Sequence, residues 1–365
     1  MSGNIFSQDL RVWLRLTLSF NIFYEDFSLF DTLHIEVTPM KRAMTYVTLG
    51  TVCALLSCSA ALPQDVIPTG GPIPDIRGFN SQVNDPEAVA AIEVIVRHVA
   101  GQVYVIAGAG GNMTVMAGDD GIFIVDTNFP VFYDEIMTLI RRISDGPIRF
   151  VVNTHSHVDH AGNNENFARE GAVIVTQPNL RRALIGDSSG SDLPGGLPVI
   201  TSTEPMSFHF NGEEIFFVPL LPSHTNGDAA VYFSGSDVWS FGDVYRTDYP
   251  SLNPAVGGTI ENFKDIYSMA LDMTTPETIF VPGHGQLSPR EELSGVLEAI
   301  STIHERFRDM IARGMTLEEI TEARPSREFD ARFSSESKSP TTGNTVERVY
   351  SRLYDDVSRE LAEGQ

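Results

Sequence analysis

The segment His155-Ser156-His157-Val158-Asp159-His160 puts four metal-capable side chains within six positions. It follows the apolar run 148–153, which alternates like the end of a strand, so all four groups fall on one short loop. Three further candidates arrive singly, each after another apolar run: His224 after 215–221, Asp243 after 238–241 and His284 after 278–281. Neutral imidazole nitrogens suit a borderline-soft ion such as zinc, and a carboxylate can bridge two cations about 3.5–4 Å apart, the separation found in two-metal hydrolases. No thiolate contributes, because Cys53 and Cys58 both precede the globular part. A lone histidine at a strand end is ordinarily a surface or core residue, and it is the repetition that reverses this expectation. His34, His98, His209 and His304 have no such sequence neighbours and receive no site role.

The elements that must position these groups follow from periodicity. Strands are expected at 92–98, 102–107, 112–117, 121–125, 172–176, 206–210, 213–218, 229–234, 238–241 and 278–281. Helices are expected at 131–144, 164–170, 179–185, 260–273 and 290–313. Two packed sheets between outer helices follow from that order. Gly108-Ala109-Gly110-Gly111 reads either as a flap over the site or as a plain glycine hairpin, and 188–198 as a mobile surface connection. Val346, Val349, Tyr350, Leu353, Tyr354, Val357 and Leu361 follow helical spacing, so the last helix packs on the domain or on a partner subunit, and a homo-oligomer stays open.

With these residues the chain resembles the metallo-β-lactamase superfamily. The family's five motifs are matched by Asp126 at the end of 121–126, by the 155–160 cluster, by His224, by Asp243, and by His284 in Pro282-Gly283-His284-Gly285. The resemblance runs from about Val94 to about Ile311. It implies an α/β fold, an αββα sandwich forming a single catalytic domain, with the metals at one edge between the sheets. It further implies two zinc ions per chain: His155, His157 and His224 hold one, Asp159, His160 and His284 the other, and Asp243 bridges them. The chemistry implied is hydrolysis, with the ions lowering the pKa of water from 15.7 towards about 7. Asp159 would orient that water and shuttle its proton. Asp126 would either hold a ligand histidine or loop amide in place, or cap the following helix.

Two positions bear on substrate. Many zinc β-lactamases have cysteine or serine where this chain has Asp243, and aspartate there is the pattern of lactonases, glyoxalase II and related hydrolases. Arg246 stands where one large group of zinc β-lactamases carries a lysine that holds the antibiotic's carboxylate, a role a guanidinium could fill in bidentate fashion. The reading is therefore an exported zinc β-lactamase acting on penicillin- or cephalosporin-type antibiotics, with a lactonase or thioester hydrolase as the alternative. The intact His155-x-His157 pair speaks against the di-iron flavoprotein branch, which resembles this site but has a glutamate as its second ligand.

Composition narrows the partners. The chain of 365 residues is 42% hydrophobic, and Lys+Arg 25 against Asp+Glu 48 gives a formal charge of -23. A polyanion would be repelled over most of that surface, so nucleic acid is excluded and a small-molecule substrate favoured. Met40-Lys41-Arg42, the apolar run 46–56 and the small residues 57–61 have the order of a secretion signal, with periplasmic export expected. Leu55-Leu56-Ser57-Cys58 resembles a lipobox, which would put a lipid anchor on Cys58; the alternative is a cut after Ala60 or Ala61, with no other membrane attachment. The expected organisation is an untypical or non-native extension over 1–39, the signal peptide over 40–61 and a Pro/Gly-rich linker over 62–87. The catalytic domain follows over 88–313 and a helical extension over 314–365.

Overall fold

The computed structural model describes residues 67–74, 82–108, 110–187, 194–333 and 346–363, so the signal segment, Cys58 and the rest of 1–66 lie outside the described residues. The architecture can be read from strand β4 (Gly121–Val125), in which every residue is buried. A strand alternates its side chains between two faces, so a wholly apolar one must be covered on both. Phe123 and Val125 point into one apolar cluster, Ile122 and Ile124 into another. The first cluster lies between two sheets. The second is closed by α2 (Tyr133–Ile143), which follows the short helix α1 (Pro86–Ala90), through Ile136, Leu139 and Ile140, and by Phe167 of α4 (Asn164–Arg169). Each large apolar side chain so enclosed contributes roughly 1.5–3 kcal/mol.

The first sheet runs β1 (Ile95–Ala100), β2 (Val103–Ala107), β3 (Met113–Gly118), β4, β5 (Ile148–Val152), β6 (Val173–Thr176), β7 (Ile200–Thr201) in spatial order. β1 to β4 pair antiparallel, whereas β4 to β7 are parallel. The second sheet is formed by β8 (Met206–Phe210), β9 (Glu213–Pro219), β10 (Ala229–Phe233), β11 (Val238–Ser240), β12 (Ile279–Val281) and β13 (Ser288–Pro289). β11 and β12 are parallel and joined through α6 (Ile260–Asp272). The outer face of this sheet carries the stacked rings of Phe216, Tyr232 and Trp239. The chain is thus an αββα sandwich, as the sequence implied.

Parallel strands place their carboxyl ends at one edge, where ligands of open α/β sheets bind. Here β4 delivers Asp126, β5 the 153–160 loop, β11 Asp243 and β12 His284. Two strands, β7 and β13, escape periodicity because two residues cannot alternate. The helix expected at 179–185 is instead α5 (Pro178–Arg182), capped by the Gln177 side chain on Asn179 N, and it gives way to a wide turn in which Gly186 has φ 107.

Three loops or tails differ from a free connection. Part of the stretch read as a linker over 62–87 is built into the domain: His98 N donates to Pro68 O, Gly70 N to His98 O, and Ile73 is 3% exposed in the inter-sheet core. The Gln286 side-chain amide clamps Ile73 from both sides, accepting from its N at 2.8 Å and donating to its O at 2.6 Å. Of the 108–111 stretch, Ala109 lies outside the described residues, and Gly111 is not part of a free flap. Gly111 N donates to Asp159 O, Asn128 Nδ2 to Gly111 O, and a Cβ on Gly111 would stand 2.2 Å from the His160 ring. Of the connection 188–198, residues 188–193 lie outside the described residues, while Gly196 packs on the backbone of Glu165.

After α7 (Arg290–Ala312) come α8 (Leu317–Ala323), α9 (Asp330–Phe333) and α10 (Val346–Glu363). α8 begins with a capping box between Thr316 and Glu319. α10 buries Val349, Tyr350, Leu353 and Val357 against the domain. His304, which has no ligand-type neighbours in sequence, lies buried with Glu360 Oε2 at 2.7 Å and Glu261 Oε1 at 3.2 Å, so it pins α6, α7 and α10 together. The Lys264 ammonium, 2.8 Å from Glu261 and 3.3 Å from His304, and the Arg308 guanidinium, 3.2 Å from Glu360, supply cations to that cluster. Among the described residues no helix is long and apolar enough to cross a membrane.

Candidate metal centre

The loop after β5 turns at Asn153 and Thr154, presents His155 and His157, and then enters the short helix α3 (Val158–Ala161), which carries Asp159 and His160. The other ligand candidates come from three separate loops, and the fold brings all seven together. His155 Nε2 and His224 Nε2 lie 3.1 and 3.0 Å from His157 Nδ1, with Asp243 Oδ2 3.4 Å from His224 Nε2. His284 Nε2 stands 3.2 Å from Asp159 Oδ2 and 3.5 Å from His160 Nε2. Asp243 Oδ1 is 3.3 Å from both His160 Nε2 and His284 Nε2. The donors therefore form two groups, His155/His157/His224/Asp243 and Asp159/His160/His284, each with its donor atoms within 4.8 Å. The two oxygens of Asp243 are divided between them.

Hydrogen bonds around the rings fix which nitrogens carry lone pairs. Thr154 Oγ1 donates to Asp126 Oδ2, so it accepts from His155 Nδ1 and leaves His155 Nε2 bare. Ser251 O accepts from His224 Nδ1 at 3.1 Å, which leaves His224 Nε2 bare. Both lone pairs converge on His157 Nδ1, which can donate to only one of them. Burial pushes the His224 pKa down to about 3 despite the attraction of Asp243, and burial together with the neighbouring imidazoles lowers His155 well below the ordinary value. Three neutral imidazoles in one pocket are the donor set of a borderline-soft divalent ion. Among the described residues Asp243 Oδ1 is buried and makes no well-formed hydrogen bond, its nearest neighbours being the His160 and His284 Nε2 atoms at 3.3 Å, a setting that suits a cation. The residues therefore fit a pair of metal ions.

His160 behaves differently. Burial opposes its charged form, yet Asp126, Asp159 and Asp243 outweigh this and hold its pKa well above the ordinary histidine value. Burial also opposes ionisation of Asp159 and Asp243, but His160, His284 and, for Asp243, Arg246 keep both carboxyls ionised. An ion entering the Asp159/His160/His284 group needs the His160 Nε2 lone pair, so it displaces a proton at any pH below that raised pKa. Calorimetry at pH 7 in buffers of differing ionisation enthalpy should find about one proton released on filling this group and almost none on filling the three-histidine group. The release should fade as pH rises through the His160 pKa. Heats independent of the buffer would contradict the assignment.

A layer of buried polar groups holds the ligands. Asp126, with φ 63, accepts from Thr154 N at 2.7 Å, from Thr154 Oγ1 at 2.8 Å and from His160 Nδ1 at 2.8 Å. It caps no helix; α2 starts at Tyr133. Asp228 gathers His224 N, Thr225 N and Ser223 Oγ at 2.8–2.9 Å and so closes the turn that bears His224. Asn112 Nδ2 bonds Pro282 O and Gly285 O on either side of His284. Sequence reading missed Thr154, Asp228, Asn112 and Ser251. Only Asp228 left a trace, as an aspartate closing the Thr225-Asn226-Gly227 turn.

Arg246, expected from sequence to grip a substrate carboxylate, is paired inside the protein. Its side chain is 9% exposed, with Nη1 2.7 Å from Asp243 Oδ2 and Nε and Nη2 3.0 and 3.2 Å from the two oxygens of Asp248. A guanidinium buried between two carboxylates finds its partners inside the protein, and burial makes this internal pairing the favoured one.

Residues 107–284 match the metallo-beta-lactamase superfamily. Two curated proteins are similar at 25% identity: the 2,4-dinitroanisole O-demethylase subunit alpha of Nocardioides sp., over 62% of this chain and 65% of that protein, and the linear primary-alkylsulfatase of Pseudomonas sp., over 56% and 48%. The chain thus spans less than two thirds of the length of either. Among solved structures, a stereoselective inverting sec-alkylsulfatase from Pseudomonas sp. superposes with a TM-score of 0.55 at 17% identity, covering 80% of this chain and 57% of that one, a likeness of fold.

Proposed function

Because residues 107–284 belong to the metallo-beta-lactamase superfamily, we propose that this protein is a dinuclear zinc hydrolase that cleaves an ester-type bond, oxygen- or sulfur-linked, in a small substrate. The division of the Asp243 oxygens between two complete donor groups carries the reading. When bound, two such ions supply a Lewis acid and a water acidic enough to serve as nucleophile near neutral pH. The chain's residues do the rest. Asp159, ionised and 14% exposed at the pocket, can orient the attacking water and accept its proton. Asp126 fixes His160 and the 153–157 loop, so the groups are held in place before the substrate arrives.

The substrate class follows from three supports. Asp243 is the aspartate of the lactonase and thioester-hydrolase pattern. Arg246, the cation that favoured a β-lactam, is turned inward. The names of the curated relatives speak of an O-methyl group and an alkyl sulfate, both oxygen-linked. The order of basic, apolar and small residues from Met40 to Ala61 supports export to the periplasm, and the charge of -23 supports a small substrate over a polyanionic one.

A panel of acyl lactones, thioesters, aryl esters, alkyl sulfates and a chromogenic cephalosporin, offered to the zinc-loaded protein, tests the reading. An oxygen or thioester substrate should exceed the cephalosporin in kcat/KM by about 100-fold or more, a difference of about 2.7 kcal/mol in transition-state binding. A higher value for the cephalosporin would return the assignment to β-lactams. Failure to hydrolyse any of them would remove this substrate class.

A further inference from the structure

His224 owes its ring orientation to one carbonyl, Ser251 O, on a stretch that belongs to neither sheet. Between Thr247, whose N donates to His284 O, and Asn253, whose N donates to Ser223 O, the backbone makes no strand or helix. What fixes it there is side chains, and they reach across to the C-terminal helices. The Tyr249 hydroxyl, on a residue 5% exposed, lies 2.6 Å from Asp330 Oδ1 and 2.7 Å from Ser326 Oγ. Ser326 in turn bonds Tyr350 Oη through both its N and its Oγ, and Arg324 pairs with Asp330. The Tyr249 ring packs on Phe333 at 4.4 Å between centroids. Pro250 and Leu252, which flank Ser251, line a small apolar cavity with Ile300, Ile303, Val349 and Leu353. All of these anchors lie beyond residue 284, where the family match ends.

We infer that Tyr249 is a positioning residue for the ligand His224, held by Ser326 and Asp330, so that the C-terminal helices form part of the metal centre. The inference rests on the metallohydrolase reading above. A carbonyl that orients a ligand imidazole governs the affinity of the site, typically by 10–100-fold. Tyr249→Phe keeps the ring on Phe333 and removes only the anchoring hydroxyl. The double substitution Ser326→Ala/Asp330→Ala cuts the same link from the other side without touching Tyr249.

The full chain, as wild type and as each variant, is titrated with zinc against a chromophoric chelator, and its cobalt(II) form is followed by visible absorption. In both variants one of the two zinc dissociation constants should rise by about 10-fold or more, and the cobalt spectrum should change. A purely structural role would lower the melting temperature of the metal-free protein and leave both readouts alone. Affinities and spectra matching wild type in both variants would overturn the inference, whatever happens to melting. If the wild-type chain itself binds no zinc, it is the metallohydrolase reading that fails, and the inference goes with it.

Discussion

Asp243→Asn should lower turnover about 1,000-fold or more and reduce the zinc content from about two ions per chain to about one. The substitution preserves size and leaves an oxygen for Arg246, so the fold survives. What it removes is the negative charge shared between the two donor groups, carried by a carboxylate whose Oδ1 is buried between His160 and His284. Metal analysis of the purified variant, together with kcat on the best substrate of the panel, checks both effects. A variant that kept two ions and full activity would show that Asp243 is not the bridge.

The seven ligand candidates were legible because each stands at the end of an apolar run, and a run of that length in an α/β chain becomes a buried strand whose carboxyl end opens on the site. β4, β8 and β12 illustrate how well alternation and length delimit such strands, to within a residue at either end. The glycines of 108–111 were legible as a turn but not as a close approach, since the partner, His160, is remote in sequence. Arg246 shows the same limit more sharply. Its spacing from Asp243 was visible, but the carboxylate of Asp248 that turns it inward could be recognised only once the direction of the loop was known. His304 was passed over because its partners Glu261 and Glu360 come from other helices, and helix packing is not written in local periodicity. The C-terminal helix itself was plain from its stripe of apolar residues, whereas its connection to the metal centre, through Tyr350, Ser326 and Tyr249, depends on hydroxyl groups that sequence gives no reason to single out.

Asp126→Ala should cost about 3–5 kcal/mol, because it strands the buried Thr154 N–H and leaves the His160 ring without its acceptor. At roughly 2–4 °C per kcal/mol for a chain of this class, melting should fall by about 10 °C. Asp126→Asn separates stability from ligand control. Its oxygen can still accept from Thr154 N, but its NH₂ then faces His160 Nδ1, and the ring must carry its proton on Nε2, the atom needed as a lone pair. This variant should melt closer to wild type yet bind zinc about 10–100-fold more weakly. Thermal unfolding by circular dichroism and chelator competition, run on the same samples, measure the two separately. Equal zinc affinity in Asp126→Asn and wild type would show that the tautomer of His160 is set by something else.

The clamp between Ile73 and Gln286 joins groups 213 positions apart. On the ribosome, at roughly 5–20 residues per second, the N-terminal strap therefore waits about 10–40 s for its partner to be made. Everything between them can pair first: twelve of the thirteen strands and all seven ligand candidates precede residue 286. The stitch falls two residues from His284, beside the two donor groups. The wall nearest His284 thus closes only after translation has passed it, and the helices beyond residue 290 that hold Tyr249 arrive later still.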